Sequence, residues 1–251
     1  MKTKRLIALR GLTRGRGHWG NFPKVLSTTD ASIELDLLDI PGNGTRSSEK
    51  LPLRAEKVVE MIRAQCRWVQ AQESFSILGI SLGGMLALKW AEMYPGEVSK
   101  VLVVNTSLAQ LSPFFKRLQL NQISSIVKAM RESDFVERER TILRITSNQT
   151  DGSEDSLAPM AAFSKQYQVS RSSFFRQLLV AASVRIPKLK QTRITIIGSQ
   201  KDRLVDISCS IKLAQYFSVN PMIHPSAGHD IPLDDPLWLA RLISQELIGQ
   251  L

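Results

Sequence analysis

The amino-acid sequence predicts an α/β protein with a mostly parallel central sheet and helices on both of its faces. Short apolar runs that are polar on neither side recur along the chain, at residues 6–9, 75–78 and 101–104. Strands of this kind are typical of a parallel sheet that helices cover on both sides. Segments with apolar residues at helical spacing alternate with them, the clearest at residues 53–71. Together these patterns predict βαβ units.

The other elements follow this alternation until the middle of the chain. Strands are predicted at 33–37, 193–198 and 222–224, and helices at 22–26, 207–217 and from Pro236, with Asp235 as N-cap. Between 107 and 187 only helix-like segments appear, at 119–131, 135–146, 157–168 and 172–184, with a polar break at 149–153. The sequence therefore predicts a core of residues 1–106 and 188–251 with residues 107–187 inserted, which suits a length of 251 residues.

Net charge is the unusual bulk property of the chain. Lys and Arg number 33 against 23 Asp and Glu, which gives a formal charge of +10. Such a surface could attract nucleic acid, anionic lipid or an acidic protein. No finger, RNP-like run or basic tail accompanies the charge, so we expect a solvated basic surface and no nucleic-acid partner.

Targeting signals and cysteines bear on the compartment. No apolar run approaches the roughly 18 residues of a membrane span, and the run after the basic N-terminus is too short for a secretory signal. Cys66 and Cys209 lie far apart and have no metal or redox spacing, so we expect reduced thiols that are buried or half-buried. These observations predict a cytoplasmic protein.

The motif Gly-Ile-Ser-Leu-Gly at 79–83 lies between a predicted strand and a predicted helix. In that position the pattern is typical of a nucleophile elbow, a sharp turn that exposes the hydroxyl of Ser81. The alternative is a glycine-rich turn whose serine merely caps a helix. A catalytic serine needs a base, an acid and an oxyanion hole, and these must be found elsewhere in the chain.

The chain has three histidines as candidate bases. His18 lies beside Trp19 in the first loop and is interpreted as structural. His224 lies within the last predicted strand, where packing or backbone pairing is favoured. His229 follows that strand on a loop that begins with Gly228, at the end of the sheet where ligands bind. We therefore predict His229 as the base.

Three aspartates are candidates for the acid that orients the imidazole. Asp202 lies in the loop after the strand at 193–198. Asp206 immediately precedes a predicted helix, so N-capping is its simpler role. Asp230 adjoins His229 and would have to turn back to reach the ring. We predict Asp202, and the chain order Ser81, Asp202, His229 is that of α/β-hydrolases.

An oxyanion formed at the serine requires two backbone donors. One is expected to be the N–H of Leu82, the residue after the nucleophile. The second is expected in the loop after the first strand, at Leu12, where Gly11 lets the backbone approach the substrate.

Taken together, these motifs resemble the α/β-hydrolase superfamily over essentially the whole chain. They are Arg10-Gly11 with His18-Trp19 behind it, Asp-Ile-Pro-Gly-Asn-Gly at 39–44, the elbow, Gly198-x-x-x-Asp202-x-Leu204-Val205, and Gly228-His229. The resemblance implies that the insertion at 107–187 is a helical cap. Short carboxylesterases and pimeloyl carrier-protein methyl esterases are similar in size and layout.

The sequence departs from this family at two places. Arg10 stands where the family usually has His, and residues 45–46 intervene before Ser47 in the second loop. Neither departure removes a catalytic atom, and Arg10 could replace a structural hydrogen bond.

Arg10 could also act with Arg14, Arg16 and Arg46 to make the mouth of the cleft positive. That predicts a negatively charged substrate, such as an acyl group on an acidic carrier protein or on CoA. The alternative is that these arginines are solvated.

The identity of the nucleophile limits the reaction. Ser81 excludes the branches that form an ester on an aspartate, and leaves acyl transfer through an acyl-serine. We predict a serine hydrolase that cleaves a small-molecule carboxylic ester or thioester, with no metal and no organic cofactor. An acyltransferase or a C–C bond hydrolase could use the same triad, and a non-catalytic binding protein could use the same scaffold. The sequence does not indicate the oligomeric state.

Overall fold

One parallel sheet forms the centre of the molecule. A computed structural model describes residues 3–148, 154–189 and 192–248, and within them six strands lie in the order β2-β1-β3-β4-β5-β6. Every neighbouring pair in this sheet is parallel. The strands are β1 (Lys4–Leu9), β2 (Ile33–Leu38), β3 (Phe75–Ile80), β4 (Val98–Val104), β5 (Arg193–Ser199) and β6 (Met222–His224). The predicted fold class is therefore confirmed.

The helices of the described residues surround this sheet. They are α1 (Phe22–Thr29), α2 (Ala55–Arg63), α3 (Arg67–Gln70), α4 (Leu82–Met93), α5 (Phe114–Arg117), α6 (Ile123–Arg131), α7 (Phe135–Thr146), α8 (Glu154–Gln166), α9 (Arg171–Ser183), α10 (Ser208–Tyr216), α11 (Ile231–Asp234) and α12 (Pro236–Glu246). Short 3₁₀ turns lie at Arg16–His18, Gly44–Arg46 and Leu120–Gln122.

Apolar side chains fill both faces of the sheet. Successive residues of a strand point to opposite faces. In β1, Ile7 and Leu9 pack in one core cluster with side chains of α2 and α4. Leu6 and Ala8 pack in a second cluster with side chains of α1 and α12. The predicted arrangement, with helices on both faces, is confirmed.

The helix predicted at 53–71 is divided into α2 and α3. The chain leaves helical geometry at Cys66, whose backbone is extended with ψ of 113°. This turn lets both Cys66 and Trp68 bury their side chains in the core. Apolar spacing alone did not reveal the break, because the residues on either side of it face the same cluster.

The described residues between β4 and β5 form helices and connecting loops, without a strand. They contain α5 to α9, of which α5 was not predicted. The polar break predicted at 149–153 lies outside the described residues, and the division into core and cap stays a prediction.

Two smaller predictions can be compared with the structure. Cys66 and Cys209 are buried free thiols, as expected. Asp235 caps α12, since its side chain accepts a hydrogen bond from the backbone N–H of Trp238. Over the described ranges, no helix has the length and hydropathy needed to cross a membrane.

Candidate active site

Ser81 lies at the sharp turn between β3 and α4. Its φ is 53° and its ψ is −116°, a conformation that side chains rarely adopt. The neighbouring glycines make the turn possible, because a Cβ on Gly79 would lie 2.5 Å from the carbonyl oxygen of Gly83. Backbone strain of this kind persists only where the surrounding structure enforces it, and it is common at functional sites.

Asp202 and His229 are in direct contact. His229 follows β6 and Asp202 follows β5, so both lie beyond the carboxyl ends of strands. The ring atom Nδ1 of His229 lies 2.7 Å from Oδ2 of Asp202. The other carboxylate oxygen of Asp202 accepts hydrogen bonds from the N–H groups of Leu204, at 2.7 Å, and Val205, at 2.9 Å. These bonds fix the carboxylate against the ring.

The surroundings of His229 favour its charged form. Burial acts to lower the pKa of His229, but the carboxylates of Asp202 and Asp230 outweigh it and raise the pKa above the ordinary value. Because the Asp202 carboxylate can only accept, we assign the proton of the neutral ring to Nδ1, which leaves Nε2 as a basic atom.

A cavity of about 440 Å³ contains both Ser81 and His229 in its lining. Residues of α6 to α9 also line the cavity, among them Met130, Ile142 and Phe174. Within the described residues, the Ser81 hydroxyl makes no hydrogen bond to the imidazole. Hydrogen bonds of this kind are often long in the absence of substrate. The structure thus joins the predicted acid and base, and places the predicted nucleophile in the same cavity.

The loop after β1 passes close to Ser81. A Cβ built on Gly11 would lie 3.2 Å from the Cβ of Ser81. Leu12 lines the cavity. Its N–H has no acceptor in the described part of the chain, whereas the N–H of Thr13 donates to Gln177 at 2.8 Å. Leu82 is the first residue of α4, where a backbone N–H has no acceptor within the helix.

The family model of the α/β-hydrolase fold matches residues 6–236 of this chain. The chain belongs to the α/β-hydrolase family. The parallel sheet, the elbow and the contact between Asp202 and His229 are all consistent with this membership.

Known proteins similar to this α/β-hydrolase include ester hydrolases. A pimeloyl-[acyl-carrier protein] methyl ester esterase of Nitrosospira multiformis is 30% identical over 113 residues, covering 41% of the chain and 38% of the relative. Monoacylglycerol lipase ABHD6 of Mus musculus is 23% identical over 95% of the chain and 74% of its own length. The chain spans less than half the length of two curated relatives that it matches, 45% and 38%.

Solved structures show the same fold. A meta-cleavage product hydrolase from Pseudomonas fluorescens superposes with a TM-score of 0.75, at 17% identity, over 97% of the chain and 90% of the other protein. At this identity the likeness establishes the fold of the hydrolase and nothing about its substrate.

Arg10 of the hydrolase is buried and pairs with Asp230. Its Nη1 donates to Oδ1 of Asp230 at 2.8 Å, and its Nη2 donates to Oδ2. The guanidinium also lies over the ring of Trp19, 4.9 Å from the centroid. Asp230 is thus engaged by Arg10, which leaves Asp202 as the carboxylate that contacts the imidazole.

His18 belongs to a second polar cluster in the cavity wall. Its Nδ1 accepts a hydrogen bond from the N–H of Gly15, so Nε2 donates to Ser164 at 3.0 Å. Ser164 in turn donates to Glu139 at 2.7 Å, and Arg14 donates to the other oxygen of Glu139 at 2.5 Å. Burial and the nearby Arg14 lower the pKa of His18 to about 4. A neutral ring with both nitrogens engaged supports the structural interpretation of His18.

The remaining alternatives also have partners. His224 accepts hydrogen bonds at Nδ1 from the N–H groups of Ser226 and Ala227, as expected for a ring that pairs with backbone. Asp206 accepts a hydrogen bond from the N–H of Ser208, the first residue of α10.

Three of the four arginines of the first two loops pair with carboxylates. Arg10 pairs with Asp230, Arg14 with Glu139 and Arg46 with Glu49. Arg16 is exposed, donates to the carbonyl of Leu37 and is not among the residues that line the cavity. These arginines therefore supply little free positive charge at the cavity. The pairing of Arg14 with Glu139 was not predicted, because the two residues are 125 positions apart and Glu139 lies in an ordinary charged helix.

Proposed function

We propose that this α/β-hydrolase cleaves a carboxylic ester or thioester through an acyl-serine intermediate. Ser81 would be the nucleophile, His229 the base, and Asp202 the acid that orients it. The observation that carries the proposal is the contact of 2.7 Å between Asp202 and His229, in a cavity that Ser81 also lines. The esterase and lipase among the similar proteins support an ester substrate.

Acylation would begin when His229 accepts the hydroxyl proton of Ser81 at Nε2. The oxygen of Ser81 then bonds to the carbonyl carbon of the ester, and the carbonyl oxygen takes the negative charge. Asp202 stabilises the imidazolium that forms. When the intermediate collapses, the bond to the alcohol or thiol breaks and the leaving group takes the proton from His229.

Deacylation would repeat these steps with water as nucleophile. Water gives a proton to His229, attacks the acyl-serine, and the proton passes to the oxygen of Ser81 as the acid is released. In both halves the N–H groups of Leu12 and Leu82 would donate to the oxyanion. Removal of one such donor typically costs 10²–10³ in rate.

Two exposed arginines of the cavity lining support a substrate with negative charge. Arg131 and Arg171 line the cavity, are exposed, and have no carboxylate partner among the described residues. The proposal therefore includes an anionic or carrier-bound acyl group, in line with the pimeloyl carrier-protein esterase among the similar proteins. Anionic and neutral esters of equal chain length test this part. Equal kcat/KM at low salt would remove it and leave ester hydrolysis standing.

A fluorophosphonate probe tests the enzyme proposal directly. We expect wild type to be labelled at Ser81, as mapped by mass spectrometry, and Ser81→Ala to be unlabelled. His229→Gln should abolish labelling while His18→Gln retains it, although both histidines line the cavity. A folded wild type that does not react would favour a binding protein on a hydrolase scaffold. An added alcohol acceptor separates hydrolysis from acyl transfer, because a transferase would form the new ester in place of the acid.

A further inference from the structure

The C-terminal end of α7 is attached to both loops that carry the proposed acid and base. The carbonyl of Thr146 accepts a hydrogen bond from the N–H of Asp230 at 2.8 Å. The side-chain amide of Asn148 donates to the carbonyls of Lys201, at 2.9 Å, and Ser226, at 3.2 Å. Lys201 precedes Asp202, and Ser226 lies three positions before His229. The short segment at 146–148 thus contacts both the loop that carries Asp202 and the loop that carries His229.

The Asp234 carboxylate connects the segment after α7 with the loop that carries His229, and we call this contact the junction. Its Oδ2 accepts a hydrogen bond from the N–H of Gly228 at 2.6 Å. The N–H of Asn148 donates to both of its oxygens, at 3.1 Å and 3.0 Å, and the hydroxyl of Ser147 donates to Oδ1. Asp234 is buried, so these donors replace the water that a carboxylate would otherwise bind.

The two backbones at the junction lie so close together that a side chain at position 228 would not fit. A Cβ on Gly228 would lie 2.7 Å from the carbonyl oxygen of Thr146. A displacement of α7 would therefore move the loop that carries His229. Because charged hydrogen bonds are shorter and stronger than neutral ones, the carboxylate of Asp234 is the strongest connection between the two segments.

We propose that Asp234 is a positioning residue, which joins the end of α7 to the His229 loop and thereby holds the imidazole against Asp202. The inference rests on the proposed role of His229 as base. It also makes the placement of that base depend on the docking of α7, a helix that lines the cavity.

Asp234→Asn tests this role with little change in volume. The amide replaces one acceptor oxygen by a donor that faces the N–H groups of Gly228 and Asn148. We expect kcat to fall by about 10–100-fold with KM within about threefold of wild type, since small displacements of a catalytic group are costly. A ring that withdraws from Asp202 should also have a lower pKa, measurable by NMR of isotope-labelled histidine.

Two further variants make the result specific. Asp206→Asn removes a carboxylate that accepts from the N–H of Ser208 and pairs with Lys116, and it should leave the imidazole pKa and kcat unchanged. Asn148→Ala weakens the junction at an exposed residue two positions beyond the end of α7, and should shift both the imidazole pKa and kcat in the same direction as Asp234→Asn, by less. It also supplies the measurement if Asp234→Asn does not fold, as judged by its thermal transition. The charged groups that face the imidazole, Asp202, Asp230 and Arg10, are retained throughout.

The outcomes are distinguishable. A folded Asp234→Asn with the wild-type imidazole pKa and kcat would overturn the inference, as would a loss of kcat without any change of pKa. The NMR titration does not require turnover. A shifted pKa in a protein whose Ser81 resists the fluorophosphonate would therefore support the positioning role and refute the proposed function alone.

Discussion

Arg10 and Asp230 form a buried ion pair immediately beside the proposed base. Two hydrogen bonds join the guanidinium to the carboxylate, and Asp230 follows His229 in the chain. Burial acts to raise the pKa of Asp230, but Arg10 outweighs it and holds that pKa below its usual range. Arg10, the residue that departs from the family pattern, thus pairs with a buried carboxylate. A role in making the cleft positive would not account for this pairing.

Arg10→Ala should destabilise the protein strongly, because it leaves the Asp230 carboxylate buried without its partner. Loss of one member of a buried pair typically costs about 3–5 kcal/mol of unfolding free energy. Urea denaturation measures it, with Arg16→Ala, on an exposed side chain, as a control that should change stability by less than about 1 kcal/mol.

The free energy of unfolding that the Arg10–Asp230 pair contributes should also depend on pH. Since the pKa of Asp230 is lowered on folding, the pair contributes fully above the ordinary carboxyl pKa, and its contribution is lost as the pH falls through the lowered value. Equal stability of Arg10→Ala and wild type at pH 7 would contradict the role of the pair.

Asp202→Asn should inactivate the enzyme without unfolding it. The amide no longer selects the tautomer with the proton at Nδ1, nor does it stabilise the imidazolium. In a serine protease the corresponding change lowers kcat by about 10⁴. Ester hydrolysis measures the loss, and Asp206→Asn is the matched control because Asp206 is the other carboxylate of the same loop. A large loss in the control, or none in Asp202→Asn, would contradict the assignment of the acid.

Asp202 and His229 both follow strands, and this explains why the sequence could predict this part of the site. Asp202 and His229 were predicted from loops that follow predicted strands, and parallel strands bring such loops to one edge of a sheet. The structure joins these two side chains by a hydrogen bond. Their roles in catalysis remain part of the proposed function.

Some contacts of the segment between β4 and β5 could not be predicted from the sequence patterns. Glu139 and Asp234 bind partners in distant segments, Arg14 and Asn148, and neither carboxylate lies in a motif. Such contacts depend on how helices dock on the core, which the spacing of apolar residues within one helix does not specify. The break at Cys66 escaped detection for a related reason, since both sides of it face one cluster.

The activity should fall on the acid side of a midpoint that lies above the ordinary histidine value of about 6.5. The proposed base His229 can accept a proton only when its ring is neutral, and the carboxylates of Asp202 and Asp230 outweigh burial and raise its pKa. As the pH falls through that raised value the ring is protonated and kcat/KM declines. A pH–rate profile of the free enzyme measures the midpoint. A midpoint below about 6 would contradict a base paired with Asp202.

Gly83→Ala tests whether the elbow must lie directly against the loop after β1. A Cβ at Gly83 would lie 2.4 Å from the carbonyl oxygen of Leu9 and 2.6 Å from that of Arg10, and neither backbone atom can rotate away. We expect the added methyl group to cost about 1–3 kcal/mol of unfolding free energy. It should also lower kcat, because the elbow and the proposed donor at Leu12 are pushed apart.

Gly96→Ala is the matched control for this substitution, since nothing lies within 4 Å of a Cβ at that position. It should change stability by less than about 0.5 kcal/mol and leave kcat unchanged. If Gly83→Ala lowers the melting temperature but retains full kcat, the spacing of the two segments matters for packing alone. The N–H of Leu12 would then be an unsuitable partner for the oxyanion, and the second donor would have to be sought elsewhere in the loop.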